Sequence, residues 1–113
     1  MKQSRVLTAL SAMAHETRLE IVRLLVPRGQ DGLPAGEIAL RLKVSASALS
    51  FHLSALEQAG LVRSRRESRH VIYSADNRTL GRVIGYLLND CCGAHPDICA
   101  RCDDGPDLTR SAP

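Results

Sequence analysis

Apolar residues recur along the chain at helical spacing in several separate runs. Val6, Leu10 and Met13, flanked by Leu7 and Ala14, form the first, and Leu19, Val22, Leu25 and Val26 form a second after the polar stretch HETR. Two helices are predicted, the second ended by Pro27 and Gly29. The turn formers of PRGQDG then precede LPAGEIALRLK, where Pro34 suits a first helical turn and Ile38 and Leu42 share a face, so a short third helix is expected. A few residues later VSASALSFHLSALEQAGLV predicts a fourth: Ser45 can cap its start, Leu49, Leu53 and Leu56 lie on one side, and Gly60 can close it. The period then changes. Two β-prone runs around RRESR predict a hairpin with a charged tip, after which Asp76 can cap a last helix, NRTLGRVIGYLLNDCC. Its Leu80, Val83, Ile84, Leu87 and Leu88 make a broad apolar stripe. Beyond Gly93 the pattern is irregular, and DDGPDLTRSAP has the composition of a disordered tail.

Helix, tight turn, helix and basic hairpin, in that order, describe a winged helix-turn-helix, mainly α with a β-hairpin wing. Residues 1–92 are expected to form the DNA-binding and dimerisation domain, and residues 93–113 a cysteine-containing arm. With 113 residues the chain makes one domain with a modest core, so a homodimer is a natural way to bury more apolar surface. Val6, Leu10 and Met13 on the first helix and Leu80, Ile84 and Leu87 on the last have little to cover them in so small a monomer, and are the expected dimer face.

Charge sharpens this picture. The net +3 is split: through Asn89 there are thirteen basic and seven acidic residues, and from Asp90 onward two basic and five acidic. The body is thus the part suited to a polyanion. With the leucines of the fourth helix inward, Ser47, Ser50, Phe51 and Ser54 point outward, beside the cap Ser45. Hydroxyls can bond phosphates or base edges, and Phe51 can pack on a thymine methyl. His52 falls at the margin of the core face and is expected to be packed or hydrogen-bonded. In the hairpin, alternation leaves Arg65, Arg66 and Arg69 near the tip, where they can lie along a phosphate backbone. No nucleophile, base and orienting group form a catalytic set, so an enzyme is not expected. With neither a leader nor an apolar run able to span a bilayer, a cytoplasmic, reducing location is expected.

All four cysteines, Cys91, Cys92, Cys99 and Cys102, lie within twelve residues. On an α-helical wheel Cys91 falls in the middle of the last helix's stripe and Cys92 at its edge. Gly93 and Pro96 then let the chain fold back, so that Cys99 and Cys102 can approach the vicinal pair. Thiolates select soft ions, and at a helix C-terminus, which disfavours anions, the ion itself must supply the stabilising charge. Four sulfurs suit tetrahedral Zn(II), Cd(II) or Pb(II), although a vicinal pair is unusual for zinc. As(III) or Sb(III) needs only three in a pyramid. The same thiols also permit redox sensing, or a thiol carrier using Cys99-x-x-Cys102, though the latter motif lacks its usual βαβ setting.

HETRLEIVRLL and GEIALRLKVSASALSFHLSALEQAGLVRSRRESRHVIYS, with the helix that follows, closely resemble the ArsR/SmtB family of metal- or metalloid-responsive transcriptional repressors, over roughly residues 4–90. The resemblance implies a winged-helix homodimer, joined mainly through its first and last helices, that binds an inverted-repeat operator. Lys43 stands where many relatives have Gly. The family's C-x-C arsenic site is absent, because that segment reads EIALRL, as is the carboxylate and histidine zinc site of the last helix. What remains is similar to the arsenic-responsive members with a vicinal pair at the end of the last helix and a further cysteine beyond. On that likeness Cys91, Cys92 and Cys99 are the ligands, Cys102 being the substitute for Cys99.

Overall fold

A computed structural model describes residues 1–103; from Asp104 on, the expected disordered tail lies outside the described residues. Helices α1 (Gln3–Met13) and α2 (Glu16–Leu25) are followed by a 3-10 turn, Val26–Arg28, and a two-residue strand β1 (Leu33–Pro34). Next come α3 (Ala35–Leu42), α4 (Ala46–Gln58), the hairpin of β2 (Val62–Glu67) and β3 (His70–Ala75), and α5 (Asn77–Gly85). A π-helical stretch, Tyr86–Cys91, continues α5, and a separate helix α6 (Pro96–Asp103) closes the described chain. No helix among the described residues is long and apolar enough to cross a membrane.

Three of the helix starts before α6 are set by side chains. Ser45 Oγ accepts from the Ala48 amide and Asp76 Oδ1 from that of Thr79, each at 3.1 Å. The third cap is His15, whose Nδ1 accepts from the Thr17 amide at 3.1 Å, so HETR is a helix start rather than a simple polar break. Each cap satisfies one of the amides that a first helical turn leaves without an internal partner.

The three strands form an antiparallel sheet in the order β1-β3-β2. β2 and β3 pair from Val62 with Ala75 to Glu67 with His70, and the connecting turn is tightened by Ser68 at φ 56°. β1 was not foreseen, since two residues show no alternation. Leu33 pairs with Tyr73 and Pro34 with Ile72, so Pro34 is an edge-strand residue and N-cap of α3, not part of its first turn. Gly32 allows this pairing: it has φ 60°, and a Cβ there would run into the Tyr73 carbonyl.

The core gathers Leu49, Leu53 and Leu56 of α4 against α1, α2, α3 and the root of β2. α2 faces inward through Ile21, Val22 and Leu25, while Leu19, expected on that face, is 48% exposed. Its helical run begins at Glu16, and the wheel drawn from Leu19 alone gave Ile21 no place.

Between α3 and α4 the chain turns through Lys43, at φ 57° and ψ 46°. A side chain in this left-handed region costs about 1 kcal/mol or somewhat more. Lys43→Gly is therefore expected to raise stability by about 1 kcal/mol, seen as a higher urea midpoint at unchanged m-value; an equal or lower midpoint would refute the strain.

Candidate nucleic-acid interface and thiol cluster

α4 is fixed by its buried side. With Leu49, Leu53 and Leu56 at most 2% exposed, the helix presents Ser47, Ser50, Phe51 and Ser54 to solvent, and the Phe51 ring is 66% exposed. Ser45 is exposed as well, but its hydroxyl is engaged as the cap and lies 3.4 Å from that of Ser47. His52 is half-buried, and its Nδ1 accepts from Arg18 Nε of α2 at 3.1 Å. The sequence reading missed Arg18 and His15, which approach α4 only through the crossing of α2.

The wing separates its arginines by cross-strand register, because directly paired residues share a face. Ser64 with Tyr73 and Arg66 with Val71 lie on one side, which looks toward α4: Ser64 Oγ donates to Glu57 Oε2 at 2.7 Å. On the other side Arg63 donates to Asp76 Oδ2 at 3.0 Å. Arg65 shares that second side and is fully engaged. Its Nη1 donates to the Gln30 carbonyl at 2.6 Å, Nη2 to that of Asp31 at 3.1 Å, and Nε to Glu67 at 2.8 Å. Of the three arginines expected at the tip, Arg65 thus clasps the loop before β1. Arg66 and Arg69 are exposed and make no ion pair among the described residues.

Of the expected dimer face, Val6 is only 2% exposed and belongs to the monomer's own core. Its place on the α1 surface is taken by Leu7, 56% exposed, one residue round the helix. Leu10, Met13, Leu80 and Leu87 are half-buried, and Ile84 is 54% exposed. The Tyr86 hydroxyl donates to Gln3 Oε1 at 3.2 Å, tying the start of α1 to the end of α5.

Past Gly85 the α-helical wheel no longer applies. The Cys92 amide donates to the Leu87 carbonyl at 3.1 Å, an i→i−5 bond, and such wide turns rotate successive residues less than an α-helix does. The placement of Cys92 relative to the stripe is changed accordingly. Gly93 and Ala94 then take φ 61° and 54° and reverse the chain. The segment expected to be irregular instead forms α6. His95 Nδ1 accepts from the Asp97 amide at 3.2 Å, and Pro96, which has no amide to satisfy, opens the helix. The His95 amide donates to the Cys92 carbonyl at 3.3 Å, and the Cys99 amide to that of His95 at 3.0 Å, so consecutive turns link Cys92 to Cys99. Both of these side chains are half-buried; those of Cys91 and Cys102 lie outside the described residues. Among the described residues no three His, Cys, Asp or Glu side chains are grouped so as to hold a metal ion.

Residues 13–65 match a family model described as a helix-turn-helix domain. The HTH-type transcriptional regulator YgaV of Escherichia coli strain K12 is 37% identical over 83 residues, 74% of this chain and 82% of that protein. Among solved structures, an ArsR-like transcriptional regulator from Rhodococcus sp. RHA1 superimposes with a TM-score of 0.70 at 28% identity, covering 90% of this chain and 93% of that one. The homodimeric winged helix-turn-helix DNA-binding domain of Mb0332 from Mycobacterium bovis gives a TM-score of 0.61 at 26% identity, with 81% and 85% covered.

The two wing arginines should separate in experiment. Arg66→Ala is expected to lower the slope of log K against log salt for DNA binding by about one unit without moving the melting temperature. Arg65→Ala should destabilise the fold by about 1 kcal/mol through its lost hydrogen bonds. An Arg66→Ala protein with unchanged salt dependence would remove Arg66 from the interface.

Proposed function

The chain belongs to the ArsR-type helix-turn-helix transcriptional regulators, and within them we propose that it is a homodimeric repressor, released from operator DNA when As(III) or Sb(III) engages its C-terminal thiols. The dimer holds two α4 helices about one turn of DNA, roughly 34 Å, apart, so each enters the major groove of one half of an inverted repeat. On this reading α1 and the end of α5 form the seam, through Leu7, Leu10, Met13, Leu80, Ile84 and Leu87, which are exposed or half-buried; a homodimeric neighbour of the same architecture supports a dimer as such.

One observation carries the ligand reading: the cysteines begin in the chain at the end of a π-helical stretch that is anchored to α1 through Tyr86 and Gln3. π turns are rare and occur most often at functional sites. Cys92 caps the π stretch and Cys99 follows on the first turns of α6, with Cys91 and Cys102 adjacent in the chain. The donor set is soft and suits As(III), which exchanges its hydroxyls for three thiolates with loss of water. Cys91, Cys92 and Cys99 are assigned as ligands, Cys102 replacing Cys99 if the arm closes one turn later. Drawing these thiols together changes the path of the chain from Tyr86 to α6, and hence the seam. Reduced thiols persist in a reducing compartment, and a cytoplasmic protein is part of this reading.

The test is a fluorescence-anisotropy titration of reduced protein on a duplex enriched from a random pool by the wild type. Arsenite and antimonite are expected to weaken binding by roughly 5- to 150-fold, the usual range of allosteric coupling. Cys91→Ser and Cys92→Ser should abolish the response while DNA binding persists, as should one of Cys99→Ser and Cys102→Ser. Affinity unmoved by arsenite would sink the metalloid reading; release by Zn(II), Cd(II) or Pb(II) alone, or by an oxidant alone, would transfer the site to that signal.

A further inference from the structure

Arg18 belongs to α2, yet its contacts lie on α4. Its Nε donates to His52 Nδ1 at 3.1 Å, and its guanidinium carbon stands 5.5 Å from the centroid of the Phe51 ring. The His52 ring meets Phe51 edge-on, with centroids 5.6 Å apart and planes at 64°. On its other side it lies 4.6 Å from the ring of His15, the cap of α2. Side chains from two elements therefore form one continuous stack, which ends at the exposed ring on the outward face of α4.

The protonation pattern of the stack follows from its donors. A guanidinium and a backbone amide can only donate, so Nδ1 of His52 and Nδ1 of His15 must both present lone pairs, and each neutral ring carries its proton on Nε2. Burial, the neighbouring His15 and the Arg18 charge all hold His52 below its ordinary pKa of 6.5, which favours the neutral ring that Arg18 needs. Among the described residues, the charged and titratable groups that act on His52 are Arg18 from α2 and His15 from the turn before it.

An aromatic ring on an exposed helix face has several staggered rotamers open to it. A cation held over that ring restricts the choice, and the cation here is itself held by a hydrogen bond to the next residue of the same helix. We propose that Arg18 is a positioning residue for sequence readout: clamped by His52, it fixes the Phe51 ring in the orientation that meets the base edges. The proposal rests on the DNA-binding reading above. It goes further in assigning a residue outside α4 to specificity, with no contact of its own to a base.

The experiment compares a duplex enriched by the wild type with a scrambled duplex of equal length and composition, using Arg18→Met, Phe51→Ala and the double variant. Arg18→Met is expected to lose about five- to tenfold on the enriched duplex and less than about twofold on the scrambled one. Phe51→Ala should lose at least as much, and the double variant no more than Phe51→Ala alone, because Arg18 acts through the ring. Arg18→Lys, which keeps the charge without the planar fork, should fall between wild type and Arg18→Met, and it guards against a loss of fold. Discrimination between the duplexes should also decline in the wild type as pH falls through the lowered pKa of His52, because protonated His52 cannot accept from Arg18. That decline should vanish in His52→Gln and survive in His15→Asn, which keeps a cap. Additive losses in the double variant, or equal losses on both duplexes with a shallower salt slope, would overturn the proposal by making Arg18 an independent phosphate contact. A pH response that persists in His52→Gln overturns the clamp. Failure of the wild type to enrich any sequence overturns the regulator reading, and this inference with it.

Discussion

The structure depends on one constraint above the others: α4 must bury Leu49, Leu53 and Leu56 while leaving its opposite side in water. Full burial of such side chains is worth roughly 1.5–3 kcal/mol each, enough that no rotation of the helix can compete. Once the leucines are inside, Ser47, Ser50, Phe51 and Ser54 have no choice but to face out. The same burial continues through Leu61 and Val62 into β2, so the wing leaves the core at a set angle to the helix it accompanies. The left-handed turn at Lys43 is retained because the packing of α3 against α4 over-determines it.

Asp76 joins the two halves of the molecule. Its amide donates to the Leu61 carbonyl at 2.8 Å, its Oδ1 caps α5, and its Oδ2 accepts from Arg63 at the root of the wing. Burial alone would raise its pKa, but the Thr79 amide and Arg63 outweigh that and hold the carboxyl below its ordinary 3.8. A carboxyl held down in this way adds stability above its unfolded value, and that contribution is lost as pH falls through the folded value. Because α5 starts on the residue that anchors the wing and is continued by the π-helical stretch to Cys91, a displacement at that end has a short mechanical route to the basic hairpin. A coupling that must act across a small domain needs such a rigid connection.

The thiol segment is built differently from the rest. The body relies on apolar burial, and Tyr86 and Leu87 still pack against it, whereas between Leu88 and Asp103 local backbone bonds recur: wide turns, two left-handed residues, and a helix opened by His95 and Pro96. Segments with few buried apolar contacts lie at the low-stability end of a fold and are the ones a ligand can rearrange at small cost. The proposed role of this segment as a sensor arm on a well-packed helix-turn-helix body is consistent with that division.

The existence of α1 to α5, the capping roles of Ser45 and Asp76, the hairpin, and the outward set on α4 were legible in the chain, because each depends on periodicity or on a residue interacting with near neighbours, whereas α6 was not. Tertiary structure alone decided the rest. β1 forms because β3 offers a partner and Gly32 permits close approach, while Val6 is buried because α1 crosses the core at its own angle. Arg65 turns from the tip to the carbonyls of Gln30 and Asp31, and Arg18 reaches His52, thirty-four residues away, only because helices crossing in space bring distant residues together. The π turns after Gly85 likewise moved Cys92 off the wheel that an α-helix would have given it. Pattern reports which faces are apolar, but the meeting of two faces is fixed by packing, which depends on the whole shape at once.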